Sequence, residues 1–327
     1  MKTGKVSESV LKRSILKQIH TRREEVLIGA GVGEDCAFLA LAEDEAFAVS
    51  TDPVTVQSQD AARLAVFAAA NDIAAGGAQP VALLVSALLP EGFEEAQLKA
   101  LVGQMEEACA GLQMQLAGGH TEITAAVNRP ILTVTAIGKV KKAYLEARGG
   151  ARAGQDVVVS KWIGLEGSFL LAREKEKALL KRYPSHVIEE AKAFDRFLSV
   201  VPEAATAGKS GVTAMHDITE GGIFGALWEL AENAGVGLEI DLKRIPVRQE
   251  TIEICEFFGL NPYELISGGS LLMAADDGAE LVRELAKIGV PATVIGKIRS
   301  GNDRVVINED ERRFLEPPKP DEIYKVT

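Results

Sequence analysis

Apolar positions along this chain switch repeatedly between helical and strand spacing. Leu11, Ile15 and Ile19 recur every four residues behind Ser7, a residue type that caps helices, which predicts a first helix. Two short apolar runs, 36–41 and 46–50, read as strands joined by an acidic turn. Residues 59–75 are alanine-rich and helical, and the Gly76-Gly77 pair stops them. A buried strand over 81–89, a helix over 94–110 and a strand over 131–140 follow. Between 141 and 155 the periodicity gives way to Gly, Arg and Lys, which predicts a domain boundary, with one domain over 1–145 and a second over 146–327. The second half repeats the alternation. Strands are expected at 156–160, 212–215, 236–240, 270–275 and 292–298, with helices at about 166–198, 222–234, 248–258 and 279–288. The proline- and charge-rich residues from Pro317 onward are expected to pack loosely. The fold class is mixed α/β in both halves.

Composition narrows the function. With 327 residues, 47% apolar and 25% charged, the chain can bury sizeable cores. A net charge of −11 argues against nucleic-acid binding, which relies on Lys and Arg to neutralise phosphates. It leaves room for a nucleotide whose phosphates are bridged to carboxylates by magnesium. Cys36, Cys109 and Cys255 lie far apart and form no CxxC pair, so neither a disulfide framework nor a zinc site is expected, and a cytoplasmic setting fits. The opening segment is charged throughout, and the longest apolar stretch, 81–89, is too short to span a bilayer as a helix. A soluble protein without membrane contact is expected.

Several motifs can carry chemistry. In GAGVGEDCA (29–37), closely spaced glycines let backbone N–H groups approach an anion, and the adjacent acids can hold its cation. The same residues also make ordinary turns. A dinucleotide fingerprint fails because Glu34 stands where its third glycine belongs. Asp52, in STDPV, follows a strand that Pro53 is expected to stop. Asp72, in NDIAAGGAQP, is a carboxylate inside an alanine-rich helix, where an unpaired charge is costly. An intrahelical partner or a cap explains Asp72 by itself, whereas a magnesium site explains the separated acids together. AGGHTE (117–122) places His120, Thr121 and Glu122 at the expected end of a strand, after paired glycines. A lone histidine is more often structural than catalytic, and the PCxxC partner that a zinc deaminase needs is absent. MHDITEGG (215–222) joins a strand to a glycine-started helix, whose N–H groups can receive an anion. Its Asp217, Thr219 and Glu220 serve equally well as capping residues. ISGGSLL (266–272) is a further glycine turn, and AGKSG (207–211) reads as a helix end, since Glu203 replaces the first glycine of a phosphate loop.

Taken in order, GEDCA, STDPV, NDIAAGGAQP, GGHTE, HDITEGG and SGGSLL resemble the AIR synthase (PurM-like) superfamily. That superfamily includes thiamine-monophosphate kinase, selenophosphate synthetase and the hydrogenase maturation factor HypE, and the pattern here is most similar to HypE-like proteins. The resemblance implies a two-domain PurM-like fold: an N-terminal domain that pairs its sheet across a homodimer, and a C-terminal α/β domain covering an ATP cleft. It implies ATP and Mg2+ as cofactors, with Asp35, Asp52 and Asp72 as metal ligands. Gly31, Gly33, Glu34, Asn71, Gly118, Gly119 and Thr121 then match ATP- and phosphate-contacting positions, and His120 and Glu122 match catalytic ones. Asp217, Thr219, Glu220, Gly221 and Gly222 match the turn facing a small-molecule substrate. The implied activity is ATP-dependent phosphoryl transfer or dehydration on a small substrate, with a maturation partner protein if the HypE likeness extends that far. The alternatives are a non-catalytic ATP-binding scaffold and a thiamine-monophosphate-kinase-like enzyme, which usually carries an aspartate where His120 sits. HypE loads its carbamoyl group on a tail cysteine. No cysteine follows Cys255 here, so the thiocarbamate-to-thiocyanate dehydration is not expected.

Overall fold

A computed structural model describes residues 4–31, 37–54, 58–147 and 149–326. By its internal contacts the chain divides into two units, Met1–Ala74 with Ala78–Leu145, and Ala75–Gly77 with Glu146–Thr327. Each mixes helices and sheet, as the sequence pattern predicts. No helix among the described residues is long and apolar enough to cross a membrane.

The first unit contains β1 (Gly4–Lys5), β2 (Val26–Ile28), β3 (Phe38–Leu39), β4 (Glu45–Val54), β5 (Gln79–Pro90), β6 (Gln115–Thr124) and β7 (Ile131–Lys141). Five of them form one sheet in the order β1-β6-β5-β7-β4, and β2 pairs with β3 separately. β5 and β6 run parallel, which requires a crossover, and the helix Glu95–Leu112 supplies it. β7 alternates strictly, with Leu132, Val134, Ala136 and Val140 buried between half-exposed neighbours, so one sheet face meets the helices and the other stays open. The helix Ala61–Ala75 uses alanine to lie close on the covered face. At Gly138 of β7 a Cβ would stand 2.3 Å from the Ile73 Cγ2 of that helix, so the contact admits only glycine.

Local differences from the sequence expectation have physical reasons. The first helix is irregular, with one α turn at Glu8–Val10, a π turn at Leu11–Ile15 and a 3-10 turn at Leu16–Gln18. The wide π turn accompanies the burial of Ser14, whose hydroxyl donates to Glu95 Oε1 at 2.6 Å. β4 does not stop before Pro53 but continues to Val54. It is an edge strand bonded only to β7, where a missing N–H is tolerated.

The second unit contains β8 (Asp156–Ser160), β9 (Ala214–Asp217), β10 (Gly237–Asp241), β11 (Leu271–Ala275), β12 (Ala292–Arg299), β13 (Arg304–Asn308) and β14 (Glu311–Phe314). They form one sheet in the order β14-β13-β10-β12-β8-β11-β9, antiparallel except for β10 with β13. Every residue of β11 is buried, which explains its unbroken apolar run. β13 and β14 lie beyond the last strand expected from sequence; β14 is an exposed edge of charged residues with no apolar alternation to reveal it. The segment after Pro317 is not loose. Asp321, Glu322 and Ile323 are all buried, held by backbone N–H groups.

One buried ion pair organises the end of β8. Lys161 adopts φ 53° and is 5% exposed; its Nζ lies 2.7 Å from Glu203 Oε1 and donates to the carbonyls of Phe197 and Ser199 at 2.8 and 2.6 Å. Burial pulls the ammonium's pKa down and the Glu203 carboxylate opposes that pull. Ser160 donates to the same carboxylate at 3.0 Å and accepts from the Leu271 N–H, tying β8 to β11. Removing one partner strands a buried charge, so Glu203→Ala is expected to cost about 3–5 kcal/mol in urea unfolding. A loss below about 1 kcal/mol would show that the pair does not organise this region.

Candidate functional site

The motif AGGHTE lies inside β6, not in a turn at a strand's end. Leu83 of β5 pairs with Leu116, but Leu84 pairs with Gly118, so Ala117 is an extra residue forming a bulge. Gly119 follows with φ 144°, and a Cβ there would stand 2.0 Å from the Val85 carbonyl oxygen. The bulge and the two glycines let β6 resume pairing with its register displaced, which sequence alone presents as a break. Beyond them His120 and Glu122 share a face, with His120 Nε2 3.3 Å from Glu122 Oε2.

Gly31, Gly118, Gly119, His120 and Thr121 line a single cavity of about 140 Å³ in the first unit. Its remaining walls are apolar and include Leu11, Ile15 and Ile19 of the irregular first helix, and Leu98, Val102 and Met105 of the helix Glu95–Leu112. Two glycine segments distant in sequence are therefore brought to one space. Gly33, Glu34 and Asp35 lie outside the described residues, as does Cys36.

Asp52 and Asp72 meet through a residue the sequence did not single out. Ser50 Oγ lies 2.6 Å from Asp72 Oδ2 and 3.3 Å from Asp52 Oδ2. The only sequence signal for Ser50 is its place two residues before Asp52, on the same face of β4. A hydroxyl has one proton, so it can donate to only one of these carboxylates at a time. The site is thus rich in oxygen acceptors and negative charge, the donor chemistry that suits a hard divalent cation. Among the described residues, no three His, Cys, Asp or Glu side chains form a metal-holding group. Asn71, beside Asp72 on the helix Ala61–Ala75, is buried.

Sheet register relates these groups. Asp52 pairs with Val134, Val134 with Val85 and Val85 with Gly119, so one row across four strands joins the aspartate to the glycine pair over roughly 14 Å. Asp52 belongs to the helix-covered face with Val134 and Val85. His120, paired with Ser86, belongs to the open face, so the sheet does not bring His120 and Asp52 to one side.

In the second unit, Asp217 ends β9, and Thr219–Gly222 turn into the helix Gly222–Ala234. The N-cap position of that helix is Gly221, so none of Asp217, Thr219 and Glu220 occupies it. The Gly221 N–H instead donates to Asp321 Oδ2 at 2.8 Å. Gly222 has φ 59°, and a Cβ on it would approach the Tyr263 carbonyl to 2.6 Å, so this turn and the 263–268 loop interlock. Glu166 reaches the same place from the helix Leu165–Glu174. Its Oε2 stands 2.0 Å from where a Gly268 Cβ would be, and the Gly268 N–H favours the charged form of the carboxyl. Burial, reinforced by Asp321, Asp217 and Glu220, pushes the Glu166 carboxyl up to about 7. Such a group can give or take a proton at neutral pH. Glu166 was not legible in the sequence, because an acid in a first helical turn is ordinary. Cys109 and Cys255 are buried and free, and burial pushes both thiols up to about 12.

Residues 33–140 match the N-terminal domain of AIR synthase related protein, and residues 152–308 match its C-terminal domain. A protein of Methanocaldococcus jannaschii named for hydrogenase expression and formation is 28% identical, over 99% of this chain and 97% of its own. The carbamoyl dehydratase HypE of Rhodobacter capsulatus is 30% identical, over 83% of this chain and 78% of its own. Among solved structures, Escherichia coli HypE superposes with a TM-score of 0.82 at 23% identity, covering 98% of this chain and all of its own. A HypE in complex with ATP gives 0.79 at 21%, covering 96% and 95%. Thiamine-monophosphate kinase of Stenotrophomonas maltophilia K279a gives 0.73 at 21%, covering 94% and 98%. The structural likenesses fix the fold, and with the sequence matches over both halves they show that this chain belongs to the AIR synthase related family of HypE-like proteins.

Proposed function

We propose that this chain binds Mg-ATP and uses it for phosphoryl transfer to, or dehydration of, a small oxygen-bearing substrate. The observation that carries this reading is the Asp52–Ser50–Asp72 cluster, two carboxylates sharing one hydroxyl. In it, Asp52 and Asp72, with Asp35, would hold magnesium, which when bound neutralises charge on the phosphate oxygens. Gly31, Gly33, Glu34, Asn71, Gly118, Gly119 and Thr121 would contact the nucleotide and Asp217 to Gly222 would face the substrate, while His120 and Glu122, on the sheet face opposite Asp52, are given no role at the metal. A relative of this fold has been solved with ATP bound, which supports the nucleotide assignment.

The HypE relatives' names raise carbamoyl dehydration and a maturation partner as a second reading. That chemistry needs a thiolate acceptor. Among the described residues, Cys109 and Cys255, held near 12 and buried, do not supply one at neutral pH; Cys36 lies outside them. We therefore favour an oxygen-bearing substrate. The likeness to a thiamine-monophosphate kinase is one of fold and does not select that substrate.

We also propose a homodimer formed through the open face of the first-unit sheet. Phe47 and Val49 are 53% and 64% exposed there, beside the half-exposed Ile137 and Leu84. An apolar sheet face of this kind favours a partner over water. Phe47→Asp is expected to convert the dimer to a monomer by light scattering at micromolar concentration; a wild-type monomer there would refute the assembly.

Asp52→Asn and Asp72→Asn are each expected to weaken Mg-ATP binding at least about tenfold in calorimetry, with ATP alone much less affected. Wild-type affinity in both variants, or the same affinity with and without magnesium, would overturn the metal assignment.

A further inference from the structure

We propose that Asp321 is a positioning residue of the second-unit site, clamping the Gly221 turn and the 263–268 loop around Glu166. The proposal deepens the reading above, in which the 217–222 turn faces a substrate, but its geometry is independent of ATP.

Burying two adjacent acids is unfavourable unless each is satisfied. Asp321 is 2% exposed and Glu322 5%. Asp321 Oδ2 accepts from the Gly221 N–H at 2.8 Å and Oδ1 from the Ile323 N–H at 2.9 Å, and the nearby Ile266 N–H also favours its charged form. Glu322 Oε2 accepts from the Asn261 N–H at 2.9 Å, while its own N–H donates to the Glu264 carbonyl at 3.3 Å. Tyr324 donates its hydroxyl to Glu220 Oε1 at 2.5 Å. Segment 321–324 thus bonds to the turn before the helix Gly222–Ala234 and also to the loop that carries Gly268. Asp321 bonds to the turn and its neighbour Glu322 to the loop.

Glu166 depends on that loop. Gly268 lies two residues beyond Ile266, its N–H favours the charged form of Glu166, and a Cβ on it would meet Glu166 Oε2 at 2.0 Å. The loop is also held by the Gly167 N–H on the Ile266 carbonyl at 3.0 Å and the Gly164 N–H on Ser267 Oγ at 2.6 Å, so loss of the Asp321 and Glu322 contacts loosens the loop that places Gly268 without freeing it. Asp321 also acts through charge. The anions facing Glu166 are Asp217 at the end of β9, Glu220 in the turn and Asp321 in the 321–324 segment, and each disfavours ionisation of Glu166. Replacing Asp321 by a neutral group therefore lowers the Glu166 pKa, an effect a purely structural cap would not predict.

The test uses the full chain. Carbon-13 NMR follows the glutamate carboxyls against pH, with Glu166→Gln identifying the signal. In Asp321→Asn, which retains an oxygen acceptor of the same shape, the Glu166 midpoint is expected to fall from near 7 by about one pH unit. In Asp321→Ala, hydrogen exchange in peptides spanning 219–224 and 263–269 is expected to accelerate about tenfold or more. Tyr324→Phe is expected to leave the midpoint within a few tenths of a unit, since it removes no charge. An unmoved midpoint in Asp321→Asn would overturn the proposal, and so would unchanged exchange in a folded Asp321→Ala. Should Asp321→Ala fail to fold, the Asp321→Asn titration and its exchange decide alone. Calorimetry with Mg-ATP is a separate readout: absence of binding would refute the function proposed above and leave the midpoint and exchange results standing.

Discussion

Space for no more than a hydrogen atom between β6 and the Val85 carbonyl governs how the first unit presents its polar residues. At Gly119 any side chain would collide with backbone, which cannot rotate away as a flexible side chain can. The contact fixes the displaced register of β6, and that register assigns His120 and Glu122 to the open face. The second unit also relies on close glycine contacts. Gly222 sits against the Tyr263 and Leu265 backbone, and Gly268 sits against the Glu166 carboxyl. In each case a glycine that reads in sequence as a flexible turn is a point where two segments are locked together at close range.

This explains which parts of the protein were legible. Alternation and helical spacing are local, so β7, β11 and the alanine-rich helix Ala61–Ala75 could be read directly from residues a few positions apart. Asp52 and Asp72 stood out because an acid at an element end or in an alanine-rich helix departs from its surroundings. Ser50, which links them, did not, since a serine on an edge strand is unremarkable until its partner on another element is known. The bulge at Ala117 was invisible for the same reason: only the pairing with β5 distinguishes an interrupted strand from one that has ended. Segment 321–324 was misread most plainly. The prolines just before it and its own charges signal solvent, yet its acids are buried because backbone N–H groups from distant loops satisfy them.

Unpartnered backbone donors recur as the reason for carboxylate placement. A helix start leaves N–H groups without intrahelical acceptors, and a tight loop does the same. In this chain Asp321 supplies an acceptor to the start of the helix Gly222–Ala234, and Glu106 supplies one to the N–H groups of His20 and Thr21. Glu25 is satisfied differently, by Arg23 and Lys139, and the Arg23 guanidinium holds its carboxyl down to about 2. The negative net charge is thus distributed among acids with distinct roles: some cap backbone, some pair with cations, and the Asp52–Asp72 pair shares a single hydroxyl.

Glu166, like Asp321, shifts in the opposite sense to Glu25. Its pKa is raised from 4.5 to about 7, so its contribution to folding is fully present below about pH 4.5 and is lost as pH rises through about 7. Glu25 works in the opposite sense: its lowered pKa gives stability that is present above about 4.5 and lost as pH falls through about 2. At neutral pH the protein therefore retains in its second unit an acid whose ionisation opposes folding. A neutral side chain of similar shape in that place would be free of this penalty, and packing alone gives no reason to prefer a carboxyl. What a carboxyl near 7 offers is a proton that can be given and recovered at physiological pH, which the described cysteines, held near 12, cannot match. At this glycine-bounded position the surrounding acids and burial disfavour ionisation of Glu166.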